Sequence, residues 1–210
     1  MKVLRLLGLG LLILLAVPLA INALTYLNFD VHYSFLKLKQ QAIATGWYLP
    51  AYYSHVLMAA LILVIGIFQI HEEWRQRWPA VHRSLGKVYV FGILCLAAPG
   101  GFIMSFFIHR GPWVAASFIL QCVSWTVSIY LALHYIRKGE IAQHRQWMWR
   151  SYSLTLAAIT LRVYVFMSSW SLDLAHPTTY ATIAWLSWVP NLLICEGYIR
   201  MKQKMDRLSN

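Results

Sequence analysis

The sequence predicts an all-α, polytopic membrane bundle with six transmembrane helices and both termini in the cytoplasm. Of its 210 residues, 60% are hydrophobic and only 12% are charged, and the mean hydropathy is +0.56. Soluble globular domains do not combine such values. Six apolar stretches approach or exceed the roughly 20 helical residues that cross a hydrocarbon core. They lie at about residues 4–24, 52–71, 87–108, 113–136, 151–170 and 181–199. The expected partner of the chain is therefore a lipid bilayer.

The first stretch has features of both a transmembrane helix and a secretory signal peptide. Lys2 and Arg5 precede its apolar run, and small residues occur at Ala20 and Ala23. The run over 6–24 is longer than the usual signal core of roughly 7–15 residues, and no small-x-small cleavage pattern follows it. We therefore expect this stretch to be retained as a membrane helix.

The basic residues are distributed unevenly between the loops. Lys37, Lys39 and Arg110 fall in outer segments and Arg162 falls inside an apolar stretch, so fourteen of the eighteen Lys and Arg lie on the other side. The positive-inside rule makes that side the cytoplasm. The net charge of +11 is split among short loops, where it orients the chain and meets anionic lipid, and it does not indicate a nucleic-acid partner.

We predict three regions along the chain. Residues 1–51 hold the N-terminal transmembrane helix and an outer loop, residues 52–199 form a five-helix membrane core, and residues 200–210 form a basic cytoplasmic tail. Pro99 and Pro190 are expected to bend the third and sixth helices, because proline removes a helical hydrogen bond and clashes with the preceding turn.

Small and polar residues recur at helical spacing within the core, which is the usual composition of faces through which membrane helices pack. By stretch, they are His55, Ala59, Ile62, Gly66 and Gln69; Gly86, Tyr89, Ile93, Ala97 and Gly100; Ser117, Gln121, Ser124 and Ser128; Met148, Ser151, Thr155, Ala158 and Arg162; and Ser187, Asn191, Cys195 and Tyr198. Helix association alone explains the serines well, whereas Gln69, Gln121 and Asn191 are also candidates for polar sites.

Arg162 lies deep inside an apolar stretch and aligns with His144 at the edge of that stretch. Their separation of eighteen residues equals five helical turns, so both side chains should leave one helix face. A charge at mid-bilayer costs from roughly 2.5 to more than 10 kcal/mol, so Arg162 should face a protein interior, a cavity or an anionic partner. It could form a structural salt bridge or cap a carbonyl. Because no acid is expected at its depth, a haem propionate, a lipid phosphate or a quinone carbonyl is favoured.

Three of the eight histidines continue the small-residue stripes and are candidate ligands: His55, His82 and His144. A b-type haem in a helical bundle needs two neutral imidazoles from different helices. We therefore consider His82 and His144 as axial or metal ligands at the cytoplasmic side. His71 falls about 160° from His55 on the helix and His134 about 80° from its polar stripe, so both are weaker candidates. A histidine at a membrane edge can also simply meet water and headgroups.

The haem and metal hypotheses also assign roles to several arginines and carboxylates. Arg83, Arg145 or Arg150 would lie near the haem propionates, whereas His55 and Arg162 would line a second, outer cavity, since Arg162 is about 27 Å from His144 along a helix. The following carboxylates could join His82 and His144 in a mononuclear metal site: Glu140 and Glu196.

Three segments carry a family resemblance: HRSLGKVYV from His82, HRQWMWRSYSLTLAAITLR from His144, and WLSWVPNLLICEGYI from Trp185. With the histidine that opens the second stretch, they resemble the bacterial membrane family catalogued as domain of unknown function 2306, over roughly residues 52–199. The resemblance implies a multi-helix protein of the bacterial inner membrane. The positions it marks are His55, His82, Arg83, Gly86, His144, Arg145, Trp147, Met148, Arg150, Ser151, Arg162 and Glu196. By architecture alone, the chain is also similar to transmembrane b-type cytochromes.

Three functions stay open at this point. The first is electron transfer through b-type haem, with a quinone or a redox protein as partner. The second is a non-redox role as a small transporter, lipid-binding protein or assembly factor, in which Arg162 meets an anionic substrate. The third is a membrane-embedded metalloenzyme that uses His82, His144 and Glu196. The sequence does not decide whether the protein is an enzyme.

Overall fold

The computed structural model describes residues 2–170 and 176–208. Within those residues all regular structure is helical, which confirms the all-α class. The α-helices are α1 (Lys2–Leu24), α2 (Gln40–Ile43), α3 (Tyr48–Ile70), α4 (Glu72–Arg77), α5 (Pro79–Gly92), α6 (Ala98–Ser105), α7 (Pro112–Arg137), α8 (Ile141–Thr155), α9 (Ala157–Ser168), α10 (Pro177–Leu186) and α11 (Val189–Leu208). Short 3-10 helices cover Thr25–Asn28 and Ser34–Lys39, and a π-helical turn, Ile93–Ala97, joins α5 to α6.

In the described residues, five helical segments are long and apolar enough to cross a membrane, and they match the first five predicted stretches. They are Leu6–Asn28, Tyr48–Ile70, Pro79–Ser105, Pro112–Arg137 and Ile141–Ser168. The third and fifth begin well before the apolar stretches that predicted them, because basic and amphipathic residues continue the helices. His82 and His144 consequently lie inside helices and not in loops.

The sixth predicted stretch is interrupted. α10 is 10 residues long and α11 is 20, and Ser187 and Trp188 separate them. Neither helix belongs to the segments that are long and apolar enough to span, since the second half of α11 is charged. Pro190 is the second residue of α11, where its missing N–H breaks no helical bond. The count of six spans and the cytoplasmic position of the C-terminus stay predictions.

The chain divides into two compact units, Met1–Phe107 and Ile108–Asn210. In the first unit, α3 is central and packs against α1, α5, the π-helical turn and α6. In the second unit, α7 packs along α8, α11 also packs on α8, and α10 contacts α7 and α9. The boundary between the units lies inside the core predicted for residues 52–199, and the predicted tail at 200–210 is largely a continuation of α11.

Gly100 allows the backbone of α6 to come into direct contact with the backbone of α3. A Cβ atom on Gly100 would lie 2.6 Å from the Ala51 carbonyl oxygen and 3.0 Å from the His55 nitrogen, so only glycine fits here. Ile62, Ile93 and other members of the predicted stripes on these helices are fully buried. The sequence prediction that these faces pack together is therefore confirmed.

Small polar side chains are buried within the second unit. Ser117, Ser128, Ser151 and Thr155 are at most 5% exposed. The Trp188 indole donates a hydrogen bond to the Ser117 hydroxyl at 3.0 Å, which ties the segment between α10 and α11 to α7. These contacts confirm that the stripes of the fourth and fifth stretches are packing faces.

Candidate functional site

His144 is held by a hydrogen bond between neighbouring helices of the second unit. It lies in the first turn of α8, and its Nδ1 is 2.8 Å from the backbone oxygen of Ala132 on α7. Because a carbonyl oxygen only accepts, the hydrogen of the neutral imidazole lies on Nδ1 and the lone pair on Nε2. Histidines that coordinate metals usually have this second hydrogen bond, which fixes the tautomer and the ring orientation. His144 thus has the chemistry of a ligand.

His55 has the same geometry in the first unit. Its Nδ1 lies 2.6 Å from the backbone oxygen of Ala97, the last residue of the π-helical turn. The close approach at Gly100 brings α3 near enough for this bond to form. In its neutral form His55 therefore also has the lone pair on Nε2.

His82 lies on α5 in the first unit, next to a buried glutamine. Gln69 is 5% exposed, and its amide nitrogen donates to the backbone oxygen of His82 at 3.2 Å. The Gln69 oxygen has no hydrogen-bond partner in the described part of the chain. His82 and His144 belong to different units, so their pairing as ligands of one haem stays a prediction.

Arg150 and Glu196 form a bidentate ion pair between α8 and α11. Arg150 Nε and Nη2 donate to the two carboxylate oxygens, and the second distance is 2.9 Å. The guanidinium also lies over the Trp147 ring at 4.3 Å. A planar guanidinium matches a carboxylate and an aromatic face in this way, and lysine could not replace it. The sequence suggested that Arg150 would meet a haem propionate, but the structure provides Glu196 as its partner.

The same ion pair shows what surrounds Glu196, which the sequence offered as a metal ligand. Its carboxylate oxygens accept hydrogen bonds from a guanidinium. Among the residues that the structure describes, no group of three or more His, Cys, Asp or Glu side chains is arranged to hold a metal ion. His82 belongs to the first unit and His144 and Glu196 to the second, so the predicted metal site of these three residues stays a prediction.

Arg145 and Arg83 differ in their surroundings. Arg145 is partly buried on α8, and its Nε is shielded from solvent without a hydrogen-bond partner among the described residues. Arg83 is exposed on α5. A buried guanidinium N–H that lacks an acceptor is costly, so Arg145 is the better candidate to meet an anionic group.

Arg162 is exposed on α9, so it does not lie in the interior of the described residues, and an anionic partner for it stays a prediction. Its Nη1 donates to the Ala158 oxygen of its own helix at 3.0 Å. One helical segment, Ile141–Ser168, carries both His144 and Arg162, but α8 ends at Thr155 and the amide of Ile159 bonds to Leu156, only three residues back. The five-turn alignment of the two side chains stays a prediction. His55 lies in the first unit and Arg162 in the second, so an outer cavity shared by the two stays a prediction.

Residues 52–199 match the family described as "Predicted membrane protein (DUF2306)". The chain belongs to this family. No curated protein and no solved structure matches the chain. The DUF2306 match includes part of each compact unit, and it contains His55 and His144, which donate from Nδ1 to backbone carbonyls.

Within this DUF2306 region, Asn191 joins three segments of the second unit. Its amide nitrogen lies 2.8 Å from the Thr160 hydroxyl and 3.0 Å from the Ser187 oxygen, and the Ser153 oxygen is at 3.4 Å. The sequence placed Asn191 on an inward stripe, but spacing alone did not reveal its partners. These bonds hold α11 against α8 and α9, and hence help to position Glu196.

Sequence reasoning underestimated His71. α3 ends at Ile70, and His71 has an extended backbone with φ −80° and ψ 112°, so a helical angle counted from His55 does not apply. Its Nδ1 is buried without a hydrogen-bond partner in the described residues, and its ring lies 4.6 Å from that of Trp74. The Glu-Glu pair at the start of α4 was the available signal that a new helix begins here.

Proposed function

We propose that this integral membrane protein carries electrons by means of b-type haem, with His144 as an axial ligand. The observation that supports the proposal best is the hydrogen bond from His144 Nδ1 to the Ala132 oxygen. It orients the imidazole and leaves the Nε2 lone pair as its coordinating position. When bound, haem iron supplies a one-electron ferric–ferrous couple, and a quinone or a redox protein is the expected partner.

Besides an axial ligand, a haem site needs a cation that pairs with a propionate, and Arg145 would provide it. Its Nε has no hydrogen-bond partner within the described part of the chain, and a carboxylate would satisfy it. Arg145 directly follows His144 on α8, so a guanidinium is available near the proposed ligand. Arg150 would stabilise the packing of α8 on α11 through Glu196 and would not bind the cofactor.

Absorption spectroscopy tests the proposal. The protein is expressed in cells supplied with a haem precursor, purified in detergent, and reduced with dithionite. We expect a Soret band and sharpened visible bands in the wild type and in His134→Ala, which changes a histidine at the end of α7, and loss of both in His144→Ala. Circular dichroism of each sample checks that the helices form. A folded, colourless wild type, or unchanged spectra in His144→Ala, would overturn the proposal.

Two further measurements separate this proposal from its rivals. Arg145→Gln should retain haem but lower its midpoint potential, because a nearby positive charge favours ferrous haem, which carries one positive charge fewer than ferric haem. Elemental analysis of the same samples detects stoichiometric zinc, manganese or non-haem iron. Such a metal, found in a sample without a Soret band, would contradict the haem proposal and support the metalloenzyme hypothesis.

We also propose that the protein lies in the bacterial cytoplasmic membrane with its N-terminus inside. The excess of Lys and Arg on one side supports this orientation. Fusions of a periplasm-active phosphatase after residues 38 and 140 provide the test. Activity is expected only from the first fusion, and the reverse pattern would contradict the orientation.

A further inference from the structure

A cleft of about 330 Å³ lies between α9 and α10 in the second unit. Five of its seven lining residues carry a hydroxyl group on an otherwise apolar side chain, and the other two are aliphatic. The lining residues are Tyr164, Ser168, Thr178, Thr179, Thr182, Ile183 and Leu186. None of these side chains is charged, so the cleft suits an uncharged group that both donates and accepts hydrogen bonds.

The lining changes from polar to apolar along the cleft. Ser168 ends α9 and Thr178 begins α10, so the hydroxyl groups there lie at the helix ends. Leu186 is the last residue of α10, at the opposite end of that helix. Ile183 is 5% exposed and closes the apolar part, whereas Leu186 is 43% exposed and leaves it accessible from the side. An amphiphile has the same order of groups, with a polar head followed by a hydrocarbon chain.

The hydroxyl groups retain hydrogen-bonding capacity for a ligand. Thr182 donates to the Thr178 carbonyl at 2.9 Å, so its oxygen can still accept. The Thr178 hydroxyl lies 2.7 Å from Nδ1 of His176, and this one hydrogen bond leaves two of its three hydrogen-bonding positions for a ligand. A head group with adjacent hydroxyls can donate to some of these oxygens and accept from others, which a trimethylammonium head group cannot do.

We propose that this cleft binds a lipid whose head group carries adjacent hydroxyls, with an acyl chain against Ile183 and Leu186. The shared chemistry is a polyol on a hydrocarbon tail. Two sources provide it: the terminal glycerol of phosphatidylglycerol, and the sugar of a monoglucosyl diacylglycerol. The site is separate from His144 and does not depend on the proposed haem.

Lipid binding is measured on the full-length protein by native mass spectrometry. The probes are phosphatidylglycerol, monoglucosyl diacylglycerol and phosphatidylcholine with identical acyl chains. The test variant combines Thr179→Val and Thr182→Val, which remove two hydroxyls at nearly constant shape. The matched control is Thr126→Val on α7, because Thr126 donates to the carbonyl four residues back at 2.8 Å, as Thr182 does, but lies outside the cleft. Ser168→Ala serves as a milder variant if the double variant does not fold.

In the wild type we expect one or both hydroxylated lipids to bind more tightly than phosphatidylcholine. The double variant should weaken that binding about tenfold, as expected from the loss of two hydrogen bonds, and the control should not change it. The lipid that loses more affinity identifies the source of the head group. Equal binding of all three lipids to the wild type, or a preference that survives in the double variant and in Ser168→Ala, would overturn the proposal.

Discussion

Replacement of Gly100 by alanine should disrupt the first unit more than its single added methyl group suggests. The new Cβ would lie 2.5 Å from the Ser54 hydroxyl and 2.6 Å from the backbone oxygen of Ala51. To restore an ordinary contact of about 3.4 Å to that backbone atom, α3 and α6 must part by about 0.8 Å. The hydrogen bond from His55 to Ala97, now 2.6 Å, would then reach the limit of a useful distance. Overpacking of this kind costs about 1–3 kcal/mol.

Two other glycines of the same unit provide matched controls. A Cβ on Gly86 would meet only the Gln69 oxygen at 3.5 Å, an ordinary contact, and one on Gly92 would meet the flexible side chain of Met58. Equilibrium unfolding in mixed micelles should therefore show Gly100→Ala destabilised, Gly92→Ala nearly unchanged, and Gly86→Ala unchanged or stabilised by up to about 1 kcal/mol. Equal stabilities of Gly100→Ala and Gly86→Ala would refute the close approach of the helices.

Two interactions of the second unit can be tested by the same unfolding assay. Arg150→Gln and Glu196→Gln should each cost about 1.5–3 kcal/mol, and the double variant should cost clearly less than their sum; additive costs would contradict the bidentate pair. Asn191→Leu should cost about 1–2 kcal/mol because it removes several buried hydrogen bonds, and Thr160→Val, which removes one of them, should cost less. A fully stable Asn191→Leu would show that these bonds do not hold α11.

The spans could be predicted from the sequence because apolar length is a local property. The first residues of the helices were harder to predict. α5 and α8 begin at Pro79 and Ile141, where the sequence is too polar to be recognised as part of a membrane span. The sequence predicted a bend at Pro190, and the helix breaks just before it, at Ser187 and Trp188. The hydrogen bond from the Trp188 indole to Ser117 could not be predicted, because hydropathy does not report a tertiary contact.

The sequence predicted which residues belong to the candidate site, and the structure showed which partners these residues have. Spacing selected His55 and His144, and both proved to be held through Nδ1 by backbone oxygens. Spacing did not show that Arg150 would bind Glu196, because the two are 46 residues apart and meet only when α11 packs on α8. The exposure of Arg162 could not be foreseen either, since it depends on which neighbours α9 has.

The π-helical turn adds one residue to its helix without rotating the buried face of the residues that follow. The turn contains one residue more than an α-helical turn. The buried positions therefore run from Tyr89 before it, through Ile93 and Ala97 at its two ends, to Gly101 and Ser105 after it, with a spacing of four throughout. A regular helix with 3.6 residues per turn would drift away from such a spacing. One residue of chain length is therefore absorbed locally, and both halves still present small residues to α3. Insertions or deletions elsewhere in this helix would instead rotate one half by about 100°.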